Sequence, residues 1–289
     1  MISKTDFLDF LYIGAPRCGS TWLAAALNEH PNVWIPHNKE VHFFNDRSLY
    51  PFEYQYPKGI MHYKKYFSQA PDDAMLGELS PLYYFDPNAA YRIFNHFPNV
   101  KIISFLRNPV DVVFSSYLKR SQLERRENTF EGELNKNPQF MDLGFYHRLL
   151  TPYFDRFPQN QIHIQIFEEF FLQQEKGIAE IYNYIGVDNA FVPSVINKKI
   201  NVSSPPASNL HRGINGFMLK LLNQPNFIIF KRILHQLKMN RHSYKVSTDS
   251  LYKKPILQET TKAQLKAQFL PDIHRLETLL NKDLSIWLK

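Results

Sequence analysis

One local pattern occurs twice in the chain: a short apolar run, then a tight loop that carries an arginine, then a helix-compatible stretch. The first copy has its apolar run at 7–13, which stops at Gly14. The second has the run 100–106, a turn at 107–109 and a helical stretch over 110–119. Apolar strands that alternate with helices are typical of a parallel sheet covered on both faces, in which ligands bind beyond the carboxyl ends of the strands. We therefore expect an α/β fold with both loops at one edge of its sheet.

The rest of the chain continues this alternation, with turn and capping residues between the elements. The further predicted elements are a weak strand over 74–78, a helix over 87–97 with Asp86 as its N-cap, an outer strand over 161–167, a helix over 175–185 that ends at Gly186, and a helical segment over 260–288 with a break at Pro271. One domain over 1–289 accommodates all of them, with a C-terminal helical part over about 213–289.

The composition is that of a folded protein with an anionic ligand. Of 289 residues, 44% are hydrophobic and 21% are charged, so the chain can bury a large core without disulfides or metals. Lys and Arg number 34 against 27 Asp and Glu, and the net charge of +7 suits an anionic ligand but is too small to indicate nucleic acid. The single cysteine, Cys18, excludes an internal disulfide and favours a reducing, cytoplasmic setting.

The apolar segments are too short for a membrane span. The N-terminal residues contain no run of signal-peptide length, and no run reaches the roughly 20 apolar residues of a transmembrane helix. The segment 217–239 is the most lipid-like, and there a buried helix pair is favoured over a peripheral membrane contact. We therefore expect a soluble protein without a transmembrane segment.

The loop of the first unit, residues 14–21, has the residues of an anion cradle. Gly14 and Gly19 stand five positions apart between a strand and a helix, so the first amides of the helix point at whatever lies in the loop. The spacing matches the glycines of the G-x-x-x-x-G-K-[ST] motif, but Ser20 takes the place of its lysine, which disfavours nucleoside triphosphate hydrolysis. Arg17 supplies a cation for an anion that is smaller and less charged than a triphosphate.

Both loops resemble those of the sulfotransferases that use 3′-phosphoadenosine 5′-phosphosulfate (PAPS). The loop 14–22 is similar to the family's phosphosulfate loop, and 107–117 is similar to its 3′-phosphate element, an arginine that ends a strand and a serine eight residues on. The resemblance implies a three-layer P-loop NTPase-like α/β fold with a central, mostly parallel sheet. It implies PAPS as cofactor, 3′-phosphoadenosine 5′-phosphate (PAP) as product, and no metal. The cofactor-binding residues that it implies are Arg17, Cys18, Gly19, Ser20, Thr21, Trp22, Arg107, Ser115, Tyr146 and Lys199.

Three further segments resemble the glycan branch of this family, the heparan-type enzymes. These segments are 39–44, 77–84 and 144–146, and the likeness covers most of residues 7–212. The chain has Leu79 where the glycan enzymes commonly carry a lysine, which argues against a strongly acidic acceptor. The resemblance thus implies sulfuryl transfer to a hydroxyl or amine of an acceptor that is carbohydrate-like.

Sulfuryl transfer needs in-line attack by the acceptor, a base for its proton, and donors for the oxygens of the sulfuryl and leaving groups. By resemblance Glu40 is the base, and partial burial among its apolar neighbours would raise its pKa. His42 is the competing base, because in an extended segment it shares a face with Glu40. Lys39 and Arg17 are the candidates for neutralising charge on the transferring group.

Two other functions stay open at this point. A nucleotide kinase of the same architecture is disfavoured by the missing loop lysine, and a catalytically silent protein that binds PAPS or polyanions is compatible with the same motifs. The sequence has no Asp, Glu or His spacing of a metal site. The expected partner is a small-molecule or oligosaccharide acceptor, with no nucleic acid and no predicted oligomeric state. An acceptor groove is predicted to be lined by Tyr50, Tyr54, Tyr56, Tyr63 and Tyr66.

Overall fold

The computed structural model describes residues 7–37, 40–46, 54–124, 129–198 and 255–288. Its centre is a five-stranded sheet in the order β2-β3-β1-β4-β5, in which every pair of neighbours is parallel. The strands are β1 (Phe10–Gly14), β2 (Val33–Trp34), β3 (Met75–Leu79), β4 (Lys101–Leu106) and β5 (Ile162–Ile166).

Helices connect the strands and pack on the sheet. The α-helices of the described residues are α1 (Ser20–Glu29), α2 (Ile60–Lys64), α3 (Ala89–His96), α4 (Pro109–Glu124), α5 (Phe130–Lys136), α6 (Tyr146–Phe154), α7 (Phe167–Leu172), α8 (Gln174–Ile185) and α9 (Glu259–Leu280). The two predicted strand–loop–helix units are β1–α1 and β4–α4, and the order of the sheet makes β1 and β4 neighbours.

The core lies on both faces of the central strands. All five residues of β1 are buried, as an apolar strand must be when helices cover both of its faces. The close approach of β1 and β3 requires a glycine at position 77, because a Cβ there would lie 2.0 Å from the ring of Phe10. The apolar runs read from the sequence therefore form strands that are covered on both faces, as predicted.

The structure shifts the predicted start of α3. The helix begins at Ala89 with Asn88 as its N-cap, two residues after the predicted start at Pro87. The carboxylate of Asp86 accepts a hydrogen bond from the amide of Asn88 at 2.8 Å, so Asp86 fixes a turn in front of the helix instead of capping it.

The break predicted at Pro271 was wrong. Pro271 lies inside α9, which runs on to Leu280 and ends at Asn281 with a φ of 47°. Next to the proline, the carboxylate of Asp272 accepts hydrogen bonds from the amides of His147 and Arg148 at the start of α6, at 2.9 and 3.3 Å. Packing against α6 therefore holds the helix through the proline and outweighs its low helix propensity.

Other boundaries agree with the predictions. The strand β5 lies at one end of the sheet order, and α8 ends at Gly186, whose φ of 94° favours glycine. Residues 199–254, and with them the lipid-like segment 217–239, lie outside the described residues. None of the helices in the described ranges is both long and apolar enough to cross a membrane.

Candidate active site

Two loops that are 90 residues apart in the sequence meet at the carboxyl edge of the sheet. Because β1 and β4 are parallel neighbours, their following loops leave the sheet side by side. The Nε of Arg17, in the loop after β1, donates a hydrogen bond of 3.1 Å to the hydroxyl of Ser115, two turns into α4. The structure thus brings together the two elements that the sequence predicts to bind the anions of one ligand.

The loop after β1 has a backbone suited to anion binding. Its entry is anchored by hydrogen bonds from the amide of Ala15 to the carbonyl of Phe105 at 2.8 Å and from the hydroxyl of Ser104 to the carbonyl of Gly14 at 2.9 Å. Gly19 is the N-cap of α1 with a φ of 88°, and a Cβ there would lie 2.8 Å from the ring of Phe171. A glycine at position 19 is therefore needed both for the turn and for the contact with Phe171.

The electrostatics of this edge favour a negatively charged ligand. Arg17 is half-buried, and its burial, together with the nearby positive charge of Arg107, lowers the pKa of its guanidinium. The N-terminus of α1 adds its own partial positive charge to the same region. Two cations and a helix N-terminus repel one another in a partly desolvated site, and an anion between them removes that repulsion.

The loop after β4 holds Arg107 in place through its backbone. The hydroxyl of Tyr146 donates to the carbonyl of Arg107 at 2.8 Å, and the carboxylate of Glu168 accepts from the amide of Asn108 at 2.8 Å. The Arg107 guanidinium lies 4.8 Å from the centre of the Phe167 ring, and one of its nitrogens donates to Asp111 at 3.1 Å. Since a guanidinium has five N–H donors, the contact with Asp111 leaves others for a phosphate.

The segment with the candidate bases packs against the end of β3. The amide of Glu40 donates to the carbonyl of Leu79 at 2.8 Å, and the amide of His42 donates to the hydroxyl of Ser80 at 3.1 Å. The His42 side chain is buried, whereas that of Glu40 is 39% exposed, and their Nε2 and Oε2 atoms are 3.6 Å apart. The segment is not extended, since the φ angles of Glu40 and His42 are 73° and 56°. The two candidate bases are adjacent through this left-handed turn and not through strand alternation.

A hydrogen bond on the far side of the ring sets the tautomer of His42. Its Nδ1 lies 2.9 Å from the Oδ1 of Asn45, and the amide nitrogen of Asn45 donates to the carbonyl of Leu82 at 3.2 Å. Because the Asn45 oxygen can only accept, Nδ1 carries the hydrogen. The Nε2 of a neutral His42 then presents its lone pair on the side of Glu40.

A buried carboxylate that the sequence left without a role supports this segment. Glu78, at the end of β3, is fully buried and accepts hydrogen bonds from the hydroxyls of Tyr63, Ser80 and Tyr83. Burial raises the pKa of Glu78, and the three hydrogen bonds oppose that shift. Ser80 also receives the amide of His42, so Glu78 holds the turn that carries the two candidate bases. An acidic residue within an apolar strand is the signal from which this role could have been read.

Three predicted cofactor-binding side chains point elsewhere. The Cys18 thiol is fully buried, and burial raises its pKa, so it is not a nucleophile at neutral pH. The indole of Trp22 donates to the carbonyl of Val195 at 3.1 Å inside the core. Tyr146 is fully buried, and its hydroxyl donates a hydrogen bond to the carbonyl of Arg107. Of Cys18 and Trp22 only the backbones lie in the loop and at the helix start, and Tyr146 contacts the backbone of Arg107.

Of the other predicted residues, two lie in the first turn of α1 and two lie outside the described residues. Ser20 is buried and Thr21 half-buried in the first turn of α1, where the predicted cradle lies. Lys39 and Lys199 lie outside the described residues. In the described part of the chain, no group of three or more His, Cys, Asp or Glu side chains is arranged to hold a metal ion.

The tyrosine-rich stretch packs beside the candidate bases. Tyr63 is fully buried against Glu78, so its predicted place in an open groove was wrong. Tyr54 and Tyr56 contact the guanidinium of Arg92, which also donates to the carbonyl of Phe44 at 2.9 Å. Tyr66 donates to Gln55 at 2.8 Å, and Tyr50 lies outside the described residues.

The family model of the sulfotransferase domain matches residues 8–204. This match covers more than half of the chain and includes both loops and the segment of the candidate bases. The chain therefore belongs to the sulfotransferase domain family, and the predicted resemblance is confirmed.

Several curated relatives are sulfotransferases. The chain is 33% identical over 132 residues to membrane-associated sulfotransferase kil1 of Dictyostelium discoideum, which is 43% of this chain and 26% of that protein. It is 26% identical over 166 residues to heparan sulfate glucosamine 3-O-sulfotransferase 5 of Mus musculus, which is 53% of this chain and 46% of that protein. The chain thus matches less than half the length of these two relatives.

A solved structure has the same fold. The sulfotransferase of Alicyclobacillus acidocaldarius superposes with a TM-score of 0.70 at 24% identity, covering 98% of this chain and 99% of that one. This likeness confirms the predicted α/β fold with its central parallel sheet.

Proposed function

We propose that the protein transfers a sulfuryl group from PAPS to a hydroxyl or amine of a carbohydrate-like acceptor. The observation that carries the proposal is the convergence of Arg17, Arg107 and the N-terminus of α1, joined by the hydrogen bond between Arg17 and Ser115. Membership in the sulfotransferase family supports the reaction type, and the heparan sulfate enzymes among the relatives support the class of acceptor.

The donors of this edge fit the two anionic ends of PAPS. We assign the phosphosulfate to Arg17 and the first amides of α1, and the separate phosphate to Arg107 and Ser115. The hydroxyl of Ser115 accepts from Arg17 and keeps its own hydrogen to donate. When bound, PAPS supplies the activated sulfuryl group together with its leaving phosphate.

The pair formed by Glu40 and His42 removes the acceptor's proton in this proposal. Glu40 is the more exposed of the two, so it is the member that an acceptor hydroxyl reaches. The Oε2 of Glu40 lies 3.6 Å from the Nε2 of His42, so a proton taken up by Glu40 lies next to that nitrogen. We propose Glu40 as the base and His42 as its partner, with Lys39 and Arg17 to neutralise charge on the transferring group.

The test is a binding experiment followed by a transfer assay. Isothermal titration of the protein with PAP, and with ATP in the presence and absence of magnesium, should show PAP binding without metal and a clear preference for PAP. Arg107→Ala should weaken PAP binding by roughly 2 to 4 kcal/mol, the range for the loss of a buried charge-assisted partner. Lys282→Ala is the control, because its ammonium pairs with Glu169 on the surface at 2.8 Å.

The results separate three functions. PAP binding with transfer of label from PAPS to a desulfated heparan-type oligosaccharide supports the proposal. Magnesium-dependent binding of ATP in preference to PAP identifies a kinase. PAP binding without transfer to any hydroxyl or amine acceptor identifies a silent binding protein.

A further inference from the structure

The peptide bond between Arg107 and Asn108 is held on both of its polar sides. Its carbonyl accepts from the hydroxyl of Tyr146 at 2.8 Å, and its N–H donates to the carboxylate of Glu168 at 2.8 Å. A peptide fixed in this way cannot rotate without losing one hydrogen bond. Because this peptide includes the carbonyl of Arg107, the backbone from which the Arg107 side chain extends is held in place.

The holding groups are joined to one another by Trp287, which lies in a short 3-10 turn after α9, Ser285–Trp287. Its indole N–H donates to the second oxygen of Glu168 at 3.1 Å, and its carbonyl accepts from the side-chain amide of Asn108 at 3.2 Å. Its ring centre lies 5.7 Å from that of Tyr146. Trp287 is 1% exposed, and its partners Asn108 and Glu168 are half-buried.

We propose that Trp287 and Glu168 are positioning residues that aim Arg107 at the 3′-phosphate of the cofactor and so set the preference for 3′-phosphorylated nucleotides. The inference rests on the proposed function, because it takes Arg107 to be the ligand of that phosphate. Neither side chain is assigned contact with the cofactor. Their effect passes through the loop, since Glu168 holds Asn108 and Trp287 holds both of them.

The chemistry of Glu168 distinguishes this arrangement from ordinary packing. Its two oxygens accept from two different N–H donors, one on the Arg107 loop and one on Trp287. A carboxylate can accept from both donors at once. A glutamine would direct its NH2 group, itself a donor, at one of the two N–H groups. The adjacent residue, Phe167, lies under the Arg107 guanidinium at 4.8 Å, so a shift of this stretch also shifts the guanidinium.

The experiment compares two nucleotides that differ only in the 3′-phosphate. PAP and adenosine 5′-monophosphate are titrated against wild type, Trp287→Phe, Glu168→Gln, Arg107→Ala and the double variant of Arg107→Ala with Trp287→Phe. Leu284→Ala is the matched control, because Leu284 is buried in the same stretch and its amide donates to Glu277. The substitution keeps the Leu284 carbonyl, which accepts from the amide of Trp287. Melting temperatures are measured for every variant.

We expect Trp287→Phe and Glu168→Gln to weaken PAP binding about tenfold and to leave the monophosphate unchanged, as for an imperfectly aimed charged hydrogen bond. In the Arg107→Ala background, Trp287→Phe should cause no further loss of PAP affinity, since Trp287 acts through the Arg107 side chain that this background lacks. Leu284→Ala should lower the melting temperature without changing the ratio of the two affinities.

Two failures are distinguishable. If Arg107→Ala weakens both nucleotides equally, the 3′-phosphate assignment itself is wrong. If Arg107→Ala is selective for PAP but both Trp287→Phe and Glu168→Gln lower the two affinities equally or leave them unchanged, the proposed function stands and the positioning role is overturned. Additive losses in the double variant overturn it as well. Glu168→Gln decides the matter if Trp287→Phe does not fold.

Discussion

Two arginines close to each other are unfavourable in a folded chain unless a negative charge lies between them. In this protein the burial of Arg17 and the nearby Arg107 both lower the pKa of the Arg17 guanidinium. Arg92 shows the opposite situation, because it has a carbonyl, two aromatic rings and the carboxylate of Asp46 around it. Arg17 therefore has the electrostatic character of a binding residue, and Arg92 that of a structural one.

This contrast predicts different effects of the same substitution. Arg17→Met should leave the melting temperature of the ligand-free protein unchanged or raise it, because it removes a repulsion, and should weaken PAP binding by roughly 2 to 4 kcal/mol. Arg92→Met should lower the melting temperature. Calorimetry with and without PAP measures both quantities. A loss of ligand-free stability in Arg17→Met that matches that of Arg92→Met would assign Arg17 a structural role.

A second prediction at the residue scale concerns the base. Glu40→Gln keeps size and hydrogen bonding but cannot take up the acceptor's proton, so turnover should fall by about 10² to 10⁴ with PAP affinity nearly unchanged. Steady-state kinetics and titration separate the two effects. If Glu40→Gln keeps more than about a tenth of turnover while His42→Ala abolishes it, the base is His42. If both variants stay active, neither residue is the base.

The residues of this site were predictable to different degrees. Arg17 and Arg107 follow from motif and spacing, because parallel strands place their following loops at one edge. The proximity of Glu40 and His42 was predicted from an extended segment, but it arises from positive φ angles, which are uncommon for residues other than glycine. Glu78 has a local signal, an acidic residue within an apolar strand, but its partner Tyr63 could not be named from the sequence. The role of Trp287 has no local signal, since its partners Asn108 and Glu168 are distant in the sequence.

At the scale of elements, strands were predicted more accurately than helix ends. The apolar runs of β1 and β4 are buried on both faces, and such a strand has a strong local signal. The run at 7–13 was longer than its strand because Phe7 is buried by rings, including Phe67 and Phe97, and not by sheet pairing. A break in α9 was wrongly predicted at Pro271 because the contact of Asp272 with α6, which holds the helix there, is tertiary and has no local signal in the sequence.

The edge strand β5 gives a prediction about pH. Burial lowers the pKa of His163, and its Nε2 lies 3.0 Å from the side-chain amide nitrogen of Gln165, which requires a lone pair on the ring. At a pH just below 6.5, the ordinary pKa of histidine, His163 therefore binds a proton more readily in the unfolded chain than in the folded one. The unfolding free energy should be at its full value above pH 6.5 and should fall as the pH is lowered from there.

Urea unfolding of wild type and His163→Gln between pH 8 and pH 5.5 measures this effect. As the pH is lowered, wild type should lose more unfolding free energy than His163→Gln does. His274→Gln is the control, because His274 is exposed and lies 2.9 Å from the carboxylate of Glu277. Parallel curves for wild type and His163→Gln would show that another group carries the acid sensitivity.

At the scale of the whole molecule, the described elements gather cationic groups at one edge without gathering metal ligands there. The loop after β1 and the loop after β4 contribute Arg17 and Arg107, and α1 contributes its N-terminus. A kinase neutralises its triphosphate with magnesium and a loop lysine, and Ser20 stands in the place of that lysine. In the proposed function, side chains and amides supply the charge that a magnesium ion supplies in a kinase.

We therefore expect sulfuryl transfer by the full chain to be independent of divalent metal. Excess EDTA should leave the initial rate of transfer from PAPS within about twofold of the untreated rate, because Arg17, Arg107 and the α1 amides neutralise the anionic groups of a phosphosulfate without a cation. The measurement is the initial rate with EDTA and after magnesium is added back in excess. A magnesium-requiring kinase assayed in the same buffers is the control for effective chelation. Complete loss of transfer on chelation, restored by magnesium, would show that the two loops need a metal ion to hold their ligand, and would contradict the expected metal independence.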